Sequence, residues 1–145
     1  MTANILDGKA LSEEIRREVA TGVAEMQQKH GVTPGLAAVL VGDDPASAIY
    51  VRNKRRACDE VGMFSDSIVL PADSTNEQVM ACVQSLNNDL RFHGILVQLP
   101  LPPQVDERLI IESLDPDKDV DGLHPFNVGK LVQGSADFVP GPPAG

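Results

Sequence analysis

The sequence predicts an α/β domain with a mainly parallel sheet flanked by helices in a three-layer α/β/α arrangement. Two observations carry this. Helix-like and strand-like segments alternate along the 145 residues, with connections of a few residues each. The run LAAVLV at 36–41 is continuously apolar rather than alternating, as a strand covered on both faces is.

Each element has its own signal. Leu11, Ile15, Val19 and Val23 recur every four residues and Met26 extends the stripe, which predicts a first helix between Asp7-Gly8 and Gly31. The run at 36–41, closed by Gly42, is the first strand. Asp44-Pro45 opens a second helix, with an aspartate N-cap and proline at the first helical position; it runs to about Val61, with Gly62 just beyond. A second strand ends over 68–70. Ser74-Thr75-Asn76-Glu77 fits a capping box, and Val79, Val83 and Leu86 continue the helix behind it. The run at 94–99 is the third strand, a proline-rich segment occupies 100–103, and 106–114 forms a short helix. From Gly134 the periodicity fades into an irregular, linker-like PGPPAG.

Composition excludes several roles. The net charge of −9 argues against nucleic acid, whose binding rests on lysine and arginine neutralising phosphates, and against an anionic membrane surface. Arg52, Lys54, Arg55 and Arg56 form a local basic exception able to draw an anionic small molecule. No apolar run approaches the roughly 20 residues of a membrane span, and residues 1–8 lack a signal-peptide pattern, so a cytoplasmic protein is expected. Cys58 and Cys82 have no metal-ligand or disulfide spacing and are expected to be reduced, partly buried thiols.

In open α/β sheets ligands gather at the carboxyl ends of the strands. There Ser47, Tyr50 and Lys54, three and four residues apart, share one helix face. Tyr50 offers a flat ring with a phenol at its edge, and Lys54 an amine for proton transfer once burial and the neighbouring arginines disfavour its charged form. The alternative is a solvated lysine beside an amphipathic tyrosine. Gln98 is an amide in an apolar strand and must find partners or cost about 1–3 kcal/mol. It pairs with backbone, or it orients a catalytic amine or a ligand. The prolines after it remove donors and stiffen a wall suited to a flat heterocycle bearing amino groups. In DPDKDVDG, residues 115–122, Asp117, Asp119, Asp121 and Gly122 match the start of a calcium loop, but its twelfth place is Val128 where a bidentate glutamate is required. The loop is expected to hold no metal and to present one carboxylate, Asp121 or Asp119, to a ligand donor. His30 is expected to be structural; His124 lies close to Asp121 in sequence.

VGDDPASAIYVRNKRRACDEVG, GILVQLPLP and DPDKDVDGLHPFNVGKL resemble, in order and spacing, the signatures of the bifunctional methylenetetrahydrofolate dehydrogenase/cyclohydrolase family. The similarity begins at Ile5-Leu6-Asp7-Gly8-Lys9 and covers essentially the whole chain. The resemblance implies oxidation of 5,10-methylenetetrahydrofolate with NADP and hydrolysis of the methenyl product to 10-formyltetrahydrofolate. It implies Lys54 in proton transfer, Gln98 holding that amine, and Tyr50 stacking on the aminobenzoyl ring, with Ser47 also at the substrate. It further implies that Asp121 accepts from the amino-pyrimidine edge of the pterin and that Leu99, Pro100, Leu101 and Pro102 line that pocket. A homodimer is expected as well.

Two departures qualify this. Where the family has P-C-T-P-x-G before a second, Rossmann-type domain, this chain has Pro140-Gly141-Pro142-Pro143-Ala144-Gly145. That places a folate-binding catalytic domain at 1–139 and a linker remnant at 140–145, with the NAD(P)-binding domain lacking from the chain. On this reading hydride transfer is not expected from these residues alone, Lys54 is more hydrated than in a two-domain cleft, and some apolar surface is left uncovered. The competing expectations are a module that binds folate without turnover and a remnant that only associates with other subunits.

Overall fold

The computed structural model describes residues 8–121. The predicted alternation is present: α1 (Gly8–His30), β1 (Gly35–Val41), α2 (Pro45–Val61), β2 (Phe64–Leu70), α3 (Asn76–Asn87), β3 (Gly94–Val97) and α4 (Glu107–Ser113). The strands form one parallel sheet in the order β2-β1-β3. β1 pairs with β2 from Gly35↔Phe64 to Val41↔Leu70, and with β3 from Leu36↔Gly94 to Val39↔Val97.

The central position of β1 explains its continuous apolar run. Ala37, Val39 and Val41 pack with Val79, Val83 and Leu86 of α3, Ile95 and Val97 of β3, and Ile110 of α4. Ala38 and Leu40 point the other way, onto Val51 of α2 and Leu96 of β3. Successive strand residues face opposite sides, so a strand sandwiched between helices must be apolar at every position. The three-layer expectation is therefore met.

Helix ends follow the sequence with one shift. Asp44 caps α2 and Pro45 opens it. Gly62, at φ 84°, closes α2, and its N–H and that of Met63 return to Asp59 and Cys58 carbonyls. The capping box at α3 sits one residue later than the sequence pattern places it. Thr75 Oγ1 accepts from Gln78 N at 3.2 Å and Gln78 Oε1 accepts from Thr75 N at 2.9 Å. The Ser74 N–H, which a box at that residue would direct to Glu77, donates instead to the Pro71 carbonyl, and its hydroxyl is turned to the same oxygen. β3 is also shorter than 94–99. It ends at Val97, although Gln98 N still donates to Val39 O at 2.9 Å; Pro100 has no N–H with which to extend the ladder.

α1 forms where its spacing predicts, but its apolar stripe is not core. Leu11, Ile15, Val19 and Met26 are 40–50% exposed, while Val23 is buried. α1 packs mainly on α2. Cys58 is buried, Cys82 partly so, and both are free thiols whose pKa burial pushes up. No helix among the described residues is long and apolar enough to cross a membrane.

Ile110 is fully buried and joins α4 to the core under α3. Ile110→Ala is expected to lower the unfolding free energy by about 2–5 kcal/mol, measured by urea denaturation followed by circular dichroism.

Candidate active site

The carboxyl ends of β1 and β3 and the start of α2 build the site. Asp44 Oδ2 accepts both the backbone N–H of Ser47 at 3.0 Å and its hydroxyl at 2.9 Å. This locks the first turn of α2 and aims the following turns, which carry Tyr50 and Lys54. Lys54 is partly buried, and its Nζ donates to Gln98 Oε1 at 3.4 Å, a long hydrogen bond. Gln98 is held from two sides: its backbone is still laddered to β1, and its Nε2 donates to Leu99 O at 3.1 Å. With the amide nitrogen so engaged, the amide oxygen is the atom left for the lysine.

Beyond Gln98 the chain turns through a cis Leu99–Pro100 peptide. Leu101 is buried in the core, and its N–H donates to Glu107 Oε1 at 3.2 Å. Leu99 packs partly against the same core. Pro100, Leu101 and Pro102 line a cleft of about 420 Å³ together with Gly42, Asp43, Asp44, Pro45 and Ala72.

The acidic segment completes the site along the outer edge of β3. Ile95 N donates to Lys118 O at 2.7 Å, and Ile95 and Asp119 form a parallel bridge. Gly94 permits this approach, since a Cβ there would stand 2.5 Å from Val120 Cγ1. Asp119 is 1% exposed. Asp121 is partly buried, and burial pushes its carboxyl pKa up; the Lys54 ammonium pulls it down and the Asp119 carboxylate pushes it up.

The fold thus brings Lys54, Gln98 and Asp121, 67 residues apart at the extremes, into one electrostatic neighbourhood. Tyr50 lies one turn before Lys54 on α2 and is 60% exposed. Ser47 is 3% exposed, with its hydroxyl spent on the Asp44 cap, so it supports the helix start first. Arg52, Arg55 and Arg56 are exposed, which leaves Lys54 as the member of the basic cluster turned inward. The sequence pattern left Asp119 and Asp121 as equals; burial separates them. Two residues were not singled out at all. His93 Nδ1 accepts the Gly35 N–H at 3.0 Å, a structural tie between β1 and β3, and Lys118 anchors the acidic segment. The DPDKDVDG motif signalled a loop with a task, but nothing in its spacing marked the lysine. His124 and the second half of the calcium pattern, Gly122 to Val128, lie outside the described residues. Among the described residues no group of three or more metal-ligating side chains converges.

Residues 6–121 match the model for the tetrahydrofolate dehydrogenase/cyclohydrolase catalytic domain. The chain belongs to this family. It is 54% identical over 143 residues to bifunctional protein FolD 2 of Geobacter sulfurreducens, covering 99% of this chain and 50% of that protein. It is 49% identical, over the same shares, to bifunctional protein FolD of Methanosarcina mazei. Among solved structures, the FolD methylenetetrahydrofolate dehydrogenase/cyclohydrolase of Campylobacter jejuni superposes with a TM-score of 0.90 at 46% identity, over 93% of this chain and 48% of that one. The Trypanosoma brucei FolD, solved with NADP cofactor and an inhibitor, gives a TM-score of 0.90 at 37% identity, over 97% and 48%. The chain spans about half the length of the relatives it matches.

The electrostatics of Asp121 fix a pH dependence. Its folded pKa stands above the ordinary 3.8, so the folded chain binds the proton more tightly than the unfolded chain does. Stability attributable to this group therefore falls as pH rises from 3.8 through the folded value and is constant above it. Asp121→Asn is expected to remove that fall, so that its stability relative to wild type improves across the window. Urea melts of both proteins at a series of pH values measure it.

Proposed function

We propose that this family member binds a reduced folate across the carboxyl ends of β1 and β3 and hydrolyses 5,10-methenyltetrahydrofolate to 10-formyltetrahydrofolate. The observation that carries the reading is the partly buried Lys54 amine held against the Gln98 amide, with the Asp121 carboxylate in electrostatic reach. Water adds to the methenyl carbon and loses a proton; the bond from that carbon to N5 then breaks, N5 takes a proton and the hydroxyl on the carbon gives up its own to become the formyl C=O, so one proton is released overall. Lys54 is the group placed to carry protons between these atoms, and Gln98 holds it there. Asp121 accepts from the amino-pyrimidine edge of the pterin, a donor-rich group that suits a carboxylate. The exposed Tyr50 ring offers a stacking surface for the aminobenzoyl group, and Leu99 to Pro102 form a stiff wall.

The dehydrogenase reaction belongs, on this reading, to the complete bifunctional enzyme, with NADP as hydride acceptor. The described residues do not fit the dinucleotide. The turn from β1 into α2, where such folds cradle a pyrophosphate, carries Asp43 and Asp44, and the Asp44 carboxylate already occupies the helix N-terminus. The domain limits of 1–139 and 140–145 are part of the same proposal. A cytoplasmic setting fits small, water-soluble folate substrates.

A second copy of the chain is the partner proposed. β2 is an edge strand of seven residues, with no strand on its outer side among the described residues and Val69 63% exposed. Antiparallel pairing of two such edges about a twofold axis satisfies both. Sedimentation analysis is expected to show a dimer for wild type and a monomer for Val69→Lys.

The alternative, folate binding without turnover, is favoured by one observation, the open exposure of Tyr50. Lys54→Met separates the two. It is expected to slow methenyltetrahydrofolate hydrolysis by about 10²–10⁴-fold, followed by loss of the methenyl absorbance. Rates equal to wild type would take Lys54 out of catalysis. Asp121→Ala is expected to weaken folate binding by roughly 10- to 100-fold in titration calorimetry, the effect of removing a charged hydrogen-bond acceptor; unchanged affinity would remove the pterin contact.

A further inference from the structure

Lys118 stands in the middle of the acidic segment, yet its ammonium is turned away from the site. Nζ donates to Leu86 O at 3.3 Å, Asn87 O at 2.8 Å and Asp89 O at 3.1 Å. These carbonyls belong to the last turn of α3 and the residues just after it. The final carbonyls of a helix lack intrahelical partners and carry partial negative charge, so an ammonium there is favoured twice over. All three of its donors are used.

The backbone of the same residue faces the other way. Its carbonyl accepts from Ile95 N at 2.7 Å, and its N–H donates to Asp115 O at 2.8 Å. Asn87 adds a parallel tie, donating to Ser113 O at 2.8 Å and accepting from Asp115 N at 2.9 Å. One residue thus joins the end of α3, the edge of β3 and the turn at Asp115. The next residue, Asp119, is bridged to Ile95 and buried; Asp121 lies two further on, partly buried and within electrostatic reach of both Lys54 and Asp119.

We propose that Lys118 is a positioning residue: its ammonium, clamped on the end of α3, holds the acidic segment against β3 so that Asp121 stands at the ligand site beside Lys54. A segment released from this clamp would sample many conformations, and the carboxylate would be presented for a small share of the time. The consequence for binding rests on the folate reading; the placement of Asp121 does not, and it is testable without ligand.

The test uses the full chain as wild type, Lys118→Met and Lys118→Arg, each also in an Asp121→Asn background. Carbon-13 NMR follows the Asp121 carboxyl titration, and titration calorimetry follows 5-formyltetrahydrofolate, a stable folate, at a temperature where circular dichroism shows every variant folded. Lys118→Met is expected to bring the Asp121 titration back towards the ordinary carboxylate range and to weaken folate binding on the order of tenfold or more, the effect of misplacing a binding group. Lys118→Arg, which keeps a charged donor, should retain most of both. In the Asp121→Asn background Lys118→Met should cost no further affinity, because it acts through the carboxylate, although it still lowers stability. An Asp121 titration unmoved by Lys118→Met, or an equal loss of affinity in both backgrounds, would overturn the proposal. Should Lys118→Met not fold, Lys118→Gln, which keeps two N–H donors without the charge, carries the same comparison. Wild-type protein that ignored the folate would count against the folate reading alone, and the Asp121 titration would still decide the role of Lys118.

Discussion

A partly buried ammonium group must be matched by acceptors, and much of this molecule is arranged around that requirement at Lys54. An unpaired charge in such a place is costly. The solution here is moderate: a neutral amide oxygen at 3.4 Å, and a carboxylate near enough to be felt, itself restrained by a second carboxylate behind it. The amine is held by a long hydrogen bond to a neutral amide, which suits the proton-transfer role proposed for it.

The parallel sheet makes this arrangement possible. Parallel strands end together at one edge, and each strand's successor leaves from that edge as a helix or a rigid loop. Lys54 comes from the helix after β1, Gln98 from the residue after β3, and Asp121 from a segment laid along the far side of β3. None of the three is close to another in sequence. Their meeting depends on the core beneath them, where Val39, Ile95 and Ile110 are each buried to 1% exposure or less. The ends of the elements are as important as their interiors: the Asp44 cap fixes where α2 starts, and the Lys118 clamp fixes where the acidic segment lies.

Elements with local causes were legible from the chain. α2, α3 and α4 start at side-chain caps and β1 and β3 are apolar throughout, because the backbone and the immediate neighbours decide these features. The misjudged boundaries were settled by contacts from elsewhere in the chain or by a competing local bond. Ser74 is drawn off by Pro71, so the box moves to Thr75. β3 stops at Val97 because the prolines beyond Gln98 cannot continue a ladder. The apolar stripe of α1 has the spacing of a core helix, yet Leu11, Ile15 and Val19 are exposed. Periodicity shows that a face is apolar, not what lies against it.

Taken by itself, the sequence determined the fold class, the family, and the identity of the residues able to do chemistry, since these follow from local patterning and from motifs of ordered spacing. Tertiary structure decided which of them share a site and in what state. It turned Lys54 inward and its neighbouring arginines outward, spent the Ser47 hydroxyl on a helix cap, and buried Asp119 behind Asp121. It also gave Lys118 a part that no motif announced. The physical reason is that solvation and charge coupling are properties of three-dimensional neighbourhoods: a side chain's reactivity depends on how much water it keeps and which charges surround it, and neither is written in its sequence neighbours.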